Sequence, residues 1–362
     1  MIPDSPRWSL TPFNAASDRL PDDWQQLNER CCGAHPLLHP MFLEPLLRHF
    51  GGSGLYLARM DNGSGCHGIA LVRRMRTGRW ALFQPSQAPL GPIIIDLTET
   101  LFADAINGLI KSLPGFPLEL DLTLLDPKYL PLTDCDPLAE RILHATTMGV
   151  TVASSFEDYW KSRKKQLIYN LRRYQRRLED KGIQPVMAVI TEAGQMDAAV
   201  DDYGDLEITG WKGKQGTAIH RSNTQGRLYR EIMRAFAAQD QGLVFRMMID
   251  GRLAACWLII MSGGMAVMLK TTFDEKLKSY AVGRVILYHT LKHLFERDDL
   301  RIIEFYTNAN ADQLQWGNAK RPIYHLNYYR YPWVRECRQA LRVLLRPLRR
   351  PAAESAATTQ TD

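Results

Sequence analysis

The stretch Ala266–Leu291, AVMLKTTFDEKLKSYAVGRVILYHTL, predicts three successive pieces of backbone. Its apolar and β-branched start predicts a strand over Met265–Phe273. The charged segment that follows predicts a loop, and the apolar spacing after Gly283 predicts a helix over Val282–Glu296. A strand, a basic loop and a helix in this order fit a mixed α/β domain.

The sequence on either side predicts further alternation of strands and helices. A hairpin is expected where Gly242–Ile249 and Ala254–Met261 flank the turn Asp250–Gly251, because Asp-Gly favours a tight hairpin turn. Other strands of this half are predicted at Thr146–Ala153, Gln184–Thr191, Arg301–Tyr306 and Tyr324–Tyr329. Its other helices are predicted at Phe156–Lys181, Gly194–Asp205, Gln225–Gln239 and Val334–Leu348.

The first 150 residues follow a weaker version of the same plan. A second hairpin is predicted at Gly54–Arg59 and Cys66–Arg73, around the turn Asp61–Gly65. Further elements are strands at Trp80–Phe83, Gly91–Ile95 and Leu118–Leu125, a helix at Leu101–Leu113 and a proline-rich loop at Asp126–Pro137. Because both halves contain a hairpin followed by strands and a helix, the sequence predicts two related domains, 1–150 and 151–332. A basic helix is predicted at 333–350 and a disordered tail at 351–362.

Composition excludes several classes of protein. The 362 residues carry a net charge of +6, which favours an anionic ligand or surface without requiring nucleic acid. No window approaches ~18 uninterrupted apolar residues and the N-terminus has no signal-like segment, so a cytoplasmic protein with reduced thiols is expected. The nine histidines and six cysteines show no metal-ligand spacing, and neither a G-x-S-x-G motif nor a Walker loop is present.

A strongly basic segment, Tyr159–Gly182, lies at the start of the second half. Nine of its residues are basic, whereas Trp160, Leu167, Leu171 and Tyr174 form an apolar stripe that predicts a core-facing side. The basic side could be a solvated face, or it could bind a phosphorylated small molecule, an anionic membrane or nucleic acid. No recognised DNA- or RNA-binding motif accompanies it, so DNA is not expected as a partner.

Four segments in order resemble the CelD-type acetyltransferase-like domain, which belongs to the GNAT superfamily and is related to the FemAB aminoacyl-transferases. The resemblance covers about Ser154–Arg330, roughly half of the chain. Its segments are the Ser154–Gly182 pattern, the loop Glu207–Ile219 with Trp-Lys-Gly, the stretch Ala266–Leu291 and the stretch Ile302–Gly317. The last one departs from the family, since Glu304 replaces an Asp and Asp312–Gln313 replaces a Tyr-Lys pair.

The resemblance implies two GNAT-like domains, each a mixed, mostly antiparallel sheet flanked by helices, with the first degenerate. It also implies acetyl-CoA or another acyl-CoA as co-substrate. A helix start binds pyrophosphate through free N–H groups and the helix dipole, and nearby cations add to this. The implied donor-binding residues are Lys278, Ser279, Tyr280, Ala281, Gly283 and Arg284 for the pyrophosphate, and Asn308 and Asn310 for the pantetheine. Gly283 could instead ease helix packing, and the two asparagines could instead shape a turn.

The resemblance also suggests which residues act on the acceptor. Glu207 or Glu304 could accept the amine proton if burial raises its pKa, and Tyr306 could protonate the leaving thiolate. Trp211, Lys212, Lys270 and Trp316 are the predicted acceptor-side residues. Each has a structural alternative: a paired carboxylate, a strand aromatic, a core tryptophan or a solvent-facing lysine.

Three hypotheses about function follow. The first is an acyl-CoA-dependent N-acyltransferase acting on an amine of a sugar, amino acid or polysaccharide precursor. The second is a FemAB-like transferase that takes its donor from aminoacyl-tRNA, although the long coiled-coil insertion common in FemAB enzymes is absent. The third is a catalytically inert binding or scaffold protein of exopolysaccharide synthesis, which the altered Asp312–Gln313 pair favours.

The predicted C-terminal helix, Val334–Leu348, alternates apolar residues with arginines. Such a helix could lie on an anionic membrane at the inner face of the cell envelope. Docking on its own domain with the arginines outward is the favoured prediction, because one short helix binds a membrane only weakly without a second signal.

Overall fold

A computed structural model describes residues 7–63, 65–98, 100–132, 136–210, 213 and 215–345, without the side chains of 343–345. Its thirteen strands form one sheet. The strands are β1 Arg7–Pro12, β2 Leu55–Asp61, β3 Cys66–Arg76, β4 Arg79–Leu82, β5 Ile93–Ile95, β6 Glu119–Leu125, β7 Ala139–Thr151, β8 Val186–Ile190, β9 Gly242–Ile249, β10 Arg252–Ser262, β11 Met265–Phe273, β12 Ile302–Glu304 and β13 Ala319–Tyr329.

Helices cover both faces of this sheet. They are α1 Asp22–Cys32, α2 Pro40–Phe50, α3 Phe102–Ser112, α4 Phe156–Lys161, α5 Lys165–Glu179, α6 Met196–Thr209, α7 Thr224–Ala237, α8 Val282–Phe295 and α9 Pro332–Leu345. Short 3-10 turns at Glu275–Tyr280 and Gln313–Gln315 border the loops that concern function. The fold class predicted from the sequence, a mixed α/β protein with a mostly antiparallel sheet, is confirmed.

The two halves of the chain exchange strands at the middle of the sheet. The strand order is β1-β2-β3-β4-β6-β13-β7-β12-β11-β10-β9-β8, and β5 pairs with β3. The late strand β13 therefore lies beside β6 of the first half, and β7 lies beside β12 of the second half. One hydrophobic core also contains residues of both halves, such as Trp24 and Phe42 with Tyr203 and Phe236.

Each half contains one parallel strand pair, β4 with β6 and β11 with β12. The second pair is short: β11 and β12 pair only over 265–267 and 302–304, although β11 continues to Phe273. After Glu304 the chain follows β7 instead, since Phe305 N–H donates to Met148 C=O (3.4 Å) and Ala309 N–H to Thr146 C=O (2.9 Å). A wedge therefore opens between the second part of β11 and residues 305–309.

Most predicted elements are present with shifted ends, and two differences are informative. The helix predicted over Phe156–Lys181 is two helices, because Lys164 has extended backbone between α4 and α5. The helices α1 and α2 and the strand β1 had not been predicted. The predicted tail at 351–362 lies outside the described residues.

The helix α9 also differs from its predicted orientation. Its arginines face the protein: Arg335 Nη1 donates to Pro137 C=O (2.9 Å), Arg338 Nε pairs with Glu119 (2.9 Å) and Arg342 Nη1 with Glu140 (2.5 Å). The helix docks on its own domain as predicted, but these three arginines face the protein and not outward, and the predicted arginines 346, 349 and 350 lie outside the described residues. Every helix within the described residues is too short or too polar to span a bilayer.

Candidate active site

The wedge between β11 and residues 305–309 separates two faces of the sheet. Ile303 and Phe305 pack into the core that contains α5 and α8. Because side chains alternate along a strand, Glu304 and Tyr306 point to the opposite face, where α6 and α7 lie. A molecule lying in the wedge would have the start of α8 on one side and Glu304 on the other.

The loop before α8 has the features expected of an anion-binding helix start. The side chain of Asp274 caps the 3-10 turn Glu275–Tyr280, and Ala281 has a left-handed backbone (φ 51°) that redirects the chain into α8. The first N–H groups of a helix have no intrahelical acceptor, so those of α8 can bind an anion. Arg177 of α5 donates to Ser279 C=O (2.9 Å), which fixes the loop against the basic helix.

The predicted donor-binding residues lie together around this helix start. Lys278 and Ser279 are exposed, and Tyr280 packs partly against the core. A Cβ on Gly283 would lie 3.4 Å from the Phe273 ring, which is ordinary contact. Gly283 therefore tolerates alanine, whereas a large side chain there would occupy the space beside the loop.

Arg284, in the first turn of α8, has two partners. Its Nη1 donates to the Tyr174 hydroxyl of α5 (2.6 Å), and its Nη2 pairs with the Asp312 carboxylate. Asp312 is one of the two positions that depart from the family pattern. Its carboxylate thus lies where it competes with a phosphate for the same guanidinium.

A buried group of charges lies on the other face, around Glu304. Arg321 of β13 donates through Nη1 to Glu304 Oε2 (3.0 Å) and through Nη2 and Nε to Asp126 (2.6–2.9 Å). The side chains of Glu304 and Asp126 are fully buried. One cation thus neutralises part of the charge of two carboxylates, which is what buried charges require.

The second oxygen of Glu304 is differently placed. Among the described residues no hydrogen-bond donor contacts Oε1, and the nearest cation is Lys128, whose Nζ is 4.0 Å away. Lys128 is 42% exposed, so Oε1 lies behind a side chain that reaches solvent. Burial raises the pKa of the Glu304 carboxyl, and the Arg321 guanidinium opposes that shift without cancelling it.

Tyr306 links this group of charges to the first half of the chain. Its hydroxyl donates to Asp126 Oδ2 (2.9 Å) and lies 2.7 Å from His35 Nε2. His35 Nδ1 accepts the Leu37 N–H (3.1 Å), so the ring proton is on Nε2 and is donated to the tyrosine oxygen. Tyr306 also has a left-handed backbone (φ 45°), an uncommon conformation for an aromatic residue.

Glu207 is buried on α6, away from this group of hydrogen bonds. Its Oε1 accepts the Tyr203 hydroxyl (2.9 Å) and its Oε2 accepts the Ile219 N–H (2.7 Å). These bonds tie the end of the 207–219 loop to α6, which is a structural arrangement. Trp211 and Lys212 of that loop lie outside the described residues, so their predicted role stays a prediction.

The remaining predicted residues lie on a helix-facing side of the sheet, in the core and in a turn. Lys270 Nζ lies over the Tyr229 ring (5.2 Å), on the Glu304 side of the sheet. Trp316 is 1% exposed, and its indole lies 5.5 Å from that of Trp160 in the core. Asn308 accepts the Thr146 N–H (3.4 Å), and Asn310 accepts N–H groups of the turn that follows it.

Several site residues had not been predicted. Asp126 and Lys128 follow β6, Arg321 lies in β13, and His35 precedes the 3-10 turn Pro36–Leu38. These residues are far apart in sequence and share no spacing that indicates contact. The described residues hold no group of three or more His, Cys, Asp or Glu side chains that could bind a metal.

A parallel strand pair that parts into a wedge, with a basic loop and helix beside it, defines a protein of the GNAT class. The sequence comparison agrees: residues 163–315 match the family described as acetyltransferase (GNAT) domain. The chain therefore contains a GNAT-type acetyltransferase domain and is a transferase. A comparison with curated proteins gave no significant match.

Solved structures show a similar fold over nearly the whole chain. FemX superposes with a TM-score of 0.55 at 9% identity, covering 93% of this chain and 99% of FemX. The lysylphosphatidylglycerol synthetase C-terminal domain from Agrobacterium fabrum superposes with a TM-score of 0.54 at 12% identity, covering 90% of this chain and 97% of that one. The fold is thus GNAT-like and FemAB-related in both halves.

Proposed function

We propose that the protein transfers an acyl group from acyl-CoA to an amine. The observation that carries the proposal is Glu304, a buried carboxylate with one oxygen free of hydrogen-bond donors among the described residues, at the end of β12 beside the wedge. Its pKa is raised by burial, which suits a group that accepts a proton from a substrate.

The opposite side of the wedge supports acyl-CoA as donor. The start of α8 offers N–H groups, and Lys278, Arg177 and Arg284 place positive charge around it. The unpaired edge of β11 beyond Val267 offers backbone groups to the amides of a pantetheine arm. A thioester at the end of that arm would then lie near Glu304.

The reaction needs few steps. The acceptor binds as an ammonium group, and Glu304 takes one of its protons through Oε1 while Arg321 holds Oε2 and fixes the direction of the carboxylate. The amine nitrogen then attacks the thioester carbonyl, the C–S bond breaks, and the second proton lost by the nitrogen goes to CoA, which leaves as the thiol. Asp126 holds Arg321 and accepts the Tyr306 hydroxyl hydrogen bond, so in this proposal Tyr306 is a positioning residue.

The second cation of this group, Lys128, lies 4.0 Å from Glu304 Oε1 and is 42% exposed, so an ammonium acceptor could take its place beside that oxygen. The CelD resemblance favours an amino sugar or another precursor of a polysaccharide, and an amino acid is the next candidate. Because acyl-CoA is made in the cytoplasm, the proposed reaction takes place there.

One observation favours a second donor, aminoacyl-tRNA. The exposed arginines 172, 173 and 176 of α5 pair with no carboxylate among the described residues, and α5 contacts the loop before α8. Such a face could bind an RNA backbone. The FemAB relationship is consistent with this, whereas the intact wedge and helix start weigh against an inert scaffold.

The test of the main proposal is the release of CoA thiol from acetyl-CoA with amino sugars and amino acids as acceptors. Glu304→Gln keeps the hydrogen bond from Arg321 but cannot take a proton, so kcat should fall about 100-fold while the KM for acetyl-CoA stays the same. Glu296→Gln, at the exposed residue that directly follows α8, is the matched control and should behave as wild type.

Wild-type rates in Glu304→Gln would contradict the proton-transfer role. Aminoacyl transfer from charged tRNA, with binding that weakens steeply as salt rises and no reaction with acetyl-CoA, would replace the first donor by the second.

A further inference from the structure

The outer face of α9 is apolar, because its arginines are turned toward the protein. Trp333 is 55% exposed and Leu341 is 47% exposed, and Cys337 between them is also exposed. These residues lie four positions apart and therefore form one line along the helix. Val334, one position from Trp333, is buried and anchors the helix to the body of the protein.

Two aromatic residues from other segments extend this line. Phe116 follows α3, is 62% exposed and has a left-handed backbone (φ 54°), which is rare for a bulky residue. Its ring lies 6.3 Å from Tyr331, and Tyr331 stacks with Trp333 at 6.1 Å. We call Phe116, Tyr331, Trp333, Cys337 and Leu341 the aromatic ridge.

Positive charge accompanies the aromatic ridge. The Arg330 guanidinium lies over the Phe116 ring (4.8 Å) and within 5.8 Å of the Tyr331 ring. The sequence from Arg330 to Arg350 contains seven arginines and a single acidic residue, Glu336. Exposed aromatic and aliphatic side chains flanked by arginines are the pattern of a surface that lies in a membrane interface.

We propose that the aromatic ridge docks this protein on the surface of an anionic phospholipid bilayer. Phe116 and Trp333 enter the boundary between headgroups and acyl chains, while Arg330 contacts lipid phosphates. The helix alone would bind weakly, and the Phe116 loop supplies the second apolar contact that membrane association needs.

Charge favours a bilayer over a second copy of the chain. A symmetric contact would bring together Arg330 of both copies and two copies of the segment 330–350, which carries seven arginines and one glutamate, and like charges would oppose it. An anionic lipid surface is complementary to that charge and attracts it, by an amount that salt reduces.

The experiment is co-sedimentation of the full chain with vesicles of phosphatidylcholine alone or mixed with phosphatidylglycerol. Wild type should bind the mixed vesicles, less so at high salt, and bind pure phosphatidylcholine weakly. The double variant Phe116→Ser/Trp333→Ser should lose about tenfold in partitioning, because two exposed aromatic side chains no longer enter the interface. Tyr169→Ser is the matched control, since Tyr169 is an exposed aromatic residue (61%) on the basic helix α5.

Three results would overturn the proposal. The first is failure of wild type to bind the mixed vesicles, or equal binding to both kinds. The second is loss of binding in Tyr169→Ser with normal binding in the double variant, which would place the membrane contact on α5. The third is a wild-type dimer in light scattering that the double variant abolishes, which would assign the ridge to a second copy. None of these readouts depends on catalysis.

Discussion

At the scale of single residues, the group of charges around Arg321 explains why the two halves of the chain meet at a fixed geometry. The residues of this group are His35 before the turn Pro36–Leu38, Asp126 and Lys128 after β6, Glu304 and Tyr306 at and after the end of β12, and Arg321 in β13. Each polar contact is made inside the protein, where an unpaired charge is costly. The position of Glu304 therefore depends on residues from both halves.

His35 makes this arrangement sensitive to pH. Burial lowers the pKa of His35 to about 3, so the folded protein holds a neutral ring where the unfolded chain holds one that protonates near pH 6.5. Its contribution to stability is complete above about pH 6.5 and falls by about 1.4 kcal/mol per pH unit as the pH drops toward 3.

Between pH 7 and pH 5.5, we therefore expect the free energy of unfolding of wild type to fall by about 1.4 kcal/mol more than that of His35→Gln. Urea denaturation at the two pH values measures the difference. Identical pH slopes in wild type and His35→Gln would contradict a neutral buried ring.

At the scale of elements, α8 and the turn after β12 are joined by the pair of Arg284 and Asp312. This pair closes across the helix start that the proposed donor would use. A phosphate that contacts Arg284 there must take the guanidinium from the carboxylate, so under the proposed function we expect Asp312 to lower donor affinity.

We expect Asp312→Asn to bind acetyl-CoA about fivefold more tightly, since a partly exposed ion pair is worth up to about 1 kcal/mol. Calorimetric titration measures the affinity. Asp299→Asn removes an exposed partner of Arg297 instead and should change nothing. Unchanged or weaker binding in Asp312→Asn would show that the carboxylate does not compete with the donor.

The elements that local sequence patterns determine were predicted well. The hairpins and the stretch Ala266–Leu291 fall within a few residues of their predicted bounds, because turns, periodicity and helix starts are local signals. Helix α2 was not predicted, and its sequence contains two prolines. Pro40 occupies the start of the helix, where it needs no N–H partner, and Pro45 is accommodated within it.

Only those residues of the candidate site that lie in family-like segments could be predicted from the sequence. Glu304 and Gly283 could be proposed because they lie in segments that resemble a family. Asp126, Arg321 and His35 could not, since strand pairing between distant segments brings them together. Glu207 was proposed because it precedes the Trp-Lys-Gly loop, whereas its hydrogen bonds with Tyr203 and Ile219 could not be foreseen from the sequence.

At the scale of the whole molecule, the exchange of β7 and β13 bears on the predicted domain boundary near residue 150. β13 lies between β6 and β7, so each half completes the sheet of the other. The halves also share one hydrophobic core. We therefore expect the two predicted domains not to be independent units of stability.

We expect the separately expressed halves 1–150 and 151–362 to lack cooperative unfolding, because each loses a central strand and half of a core. The full chain should unfold in a single transition. Circular dichroism during heating compares the three. A sharp, reversible transition in either half alone would contradict this account.

The central claim is that a donor binds at the start of α8, and calorimetric titration of acetyl-CoA tests it most directly. Wild type should bind with micromolar affinity, and so should Gly283→Ala, whose Cβ makes only ordinary contact with Phe273. Gly283→Trp should fold and lose binding, because the indole fills the space beside the loop. No binding by folded wild type, or undiminished binding by Gly283→Trp, would contradict the account.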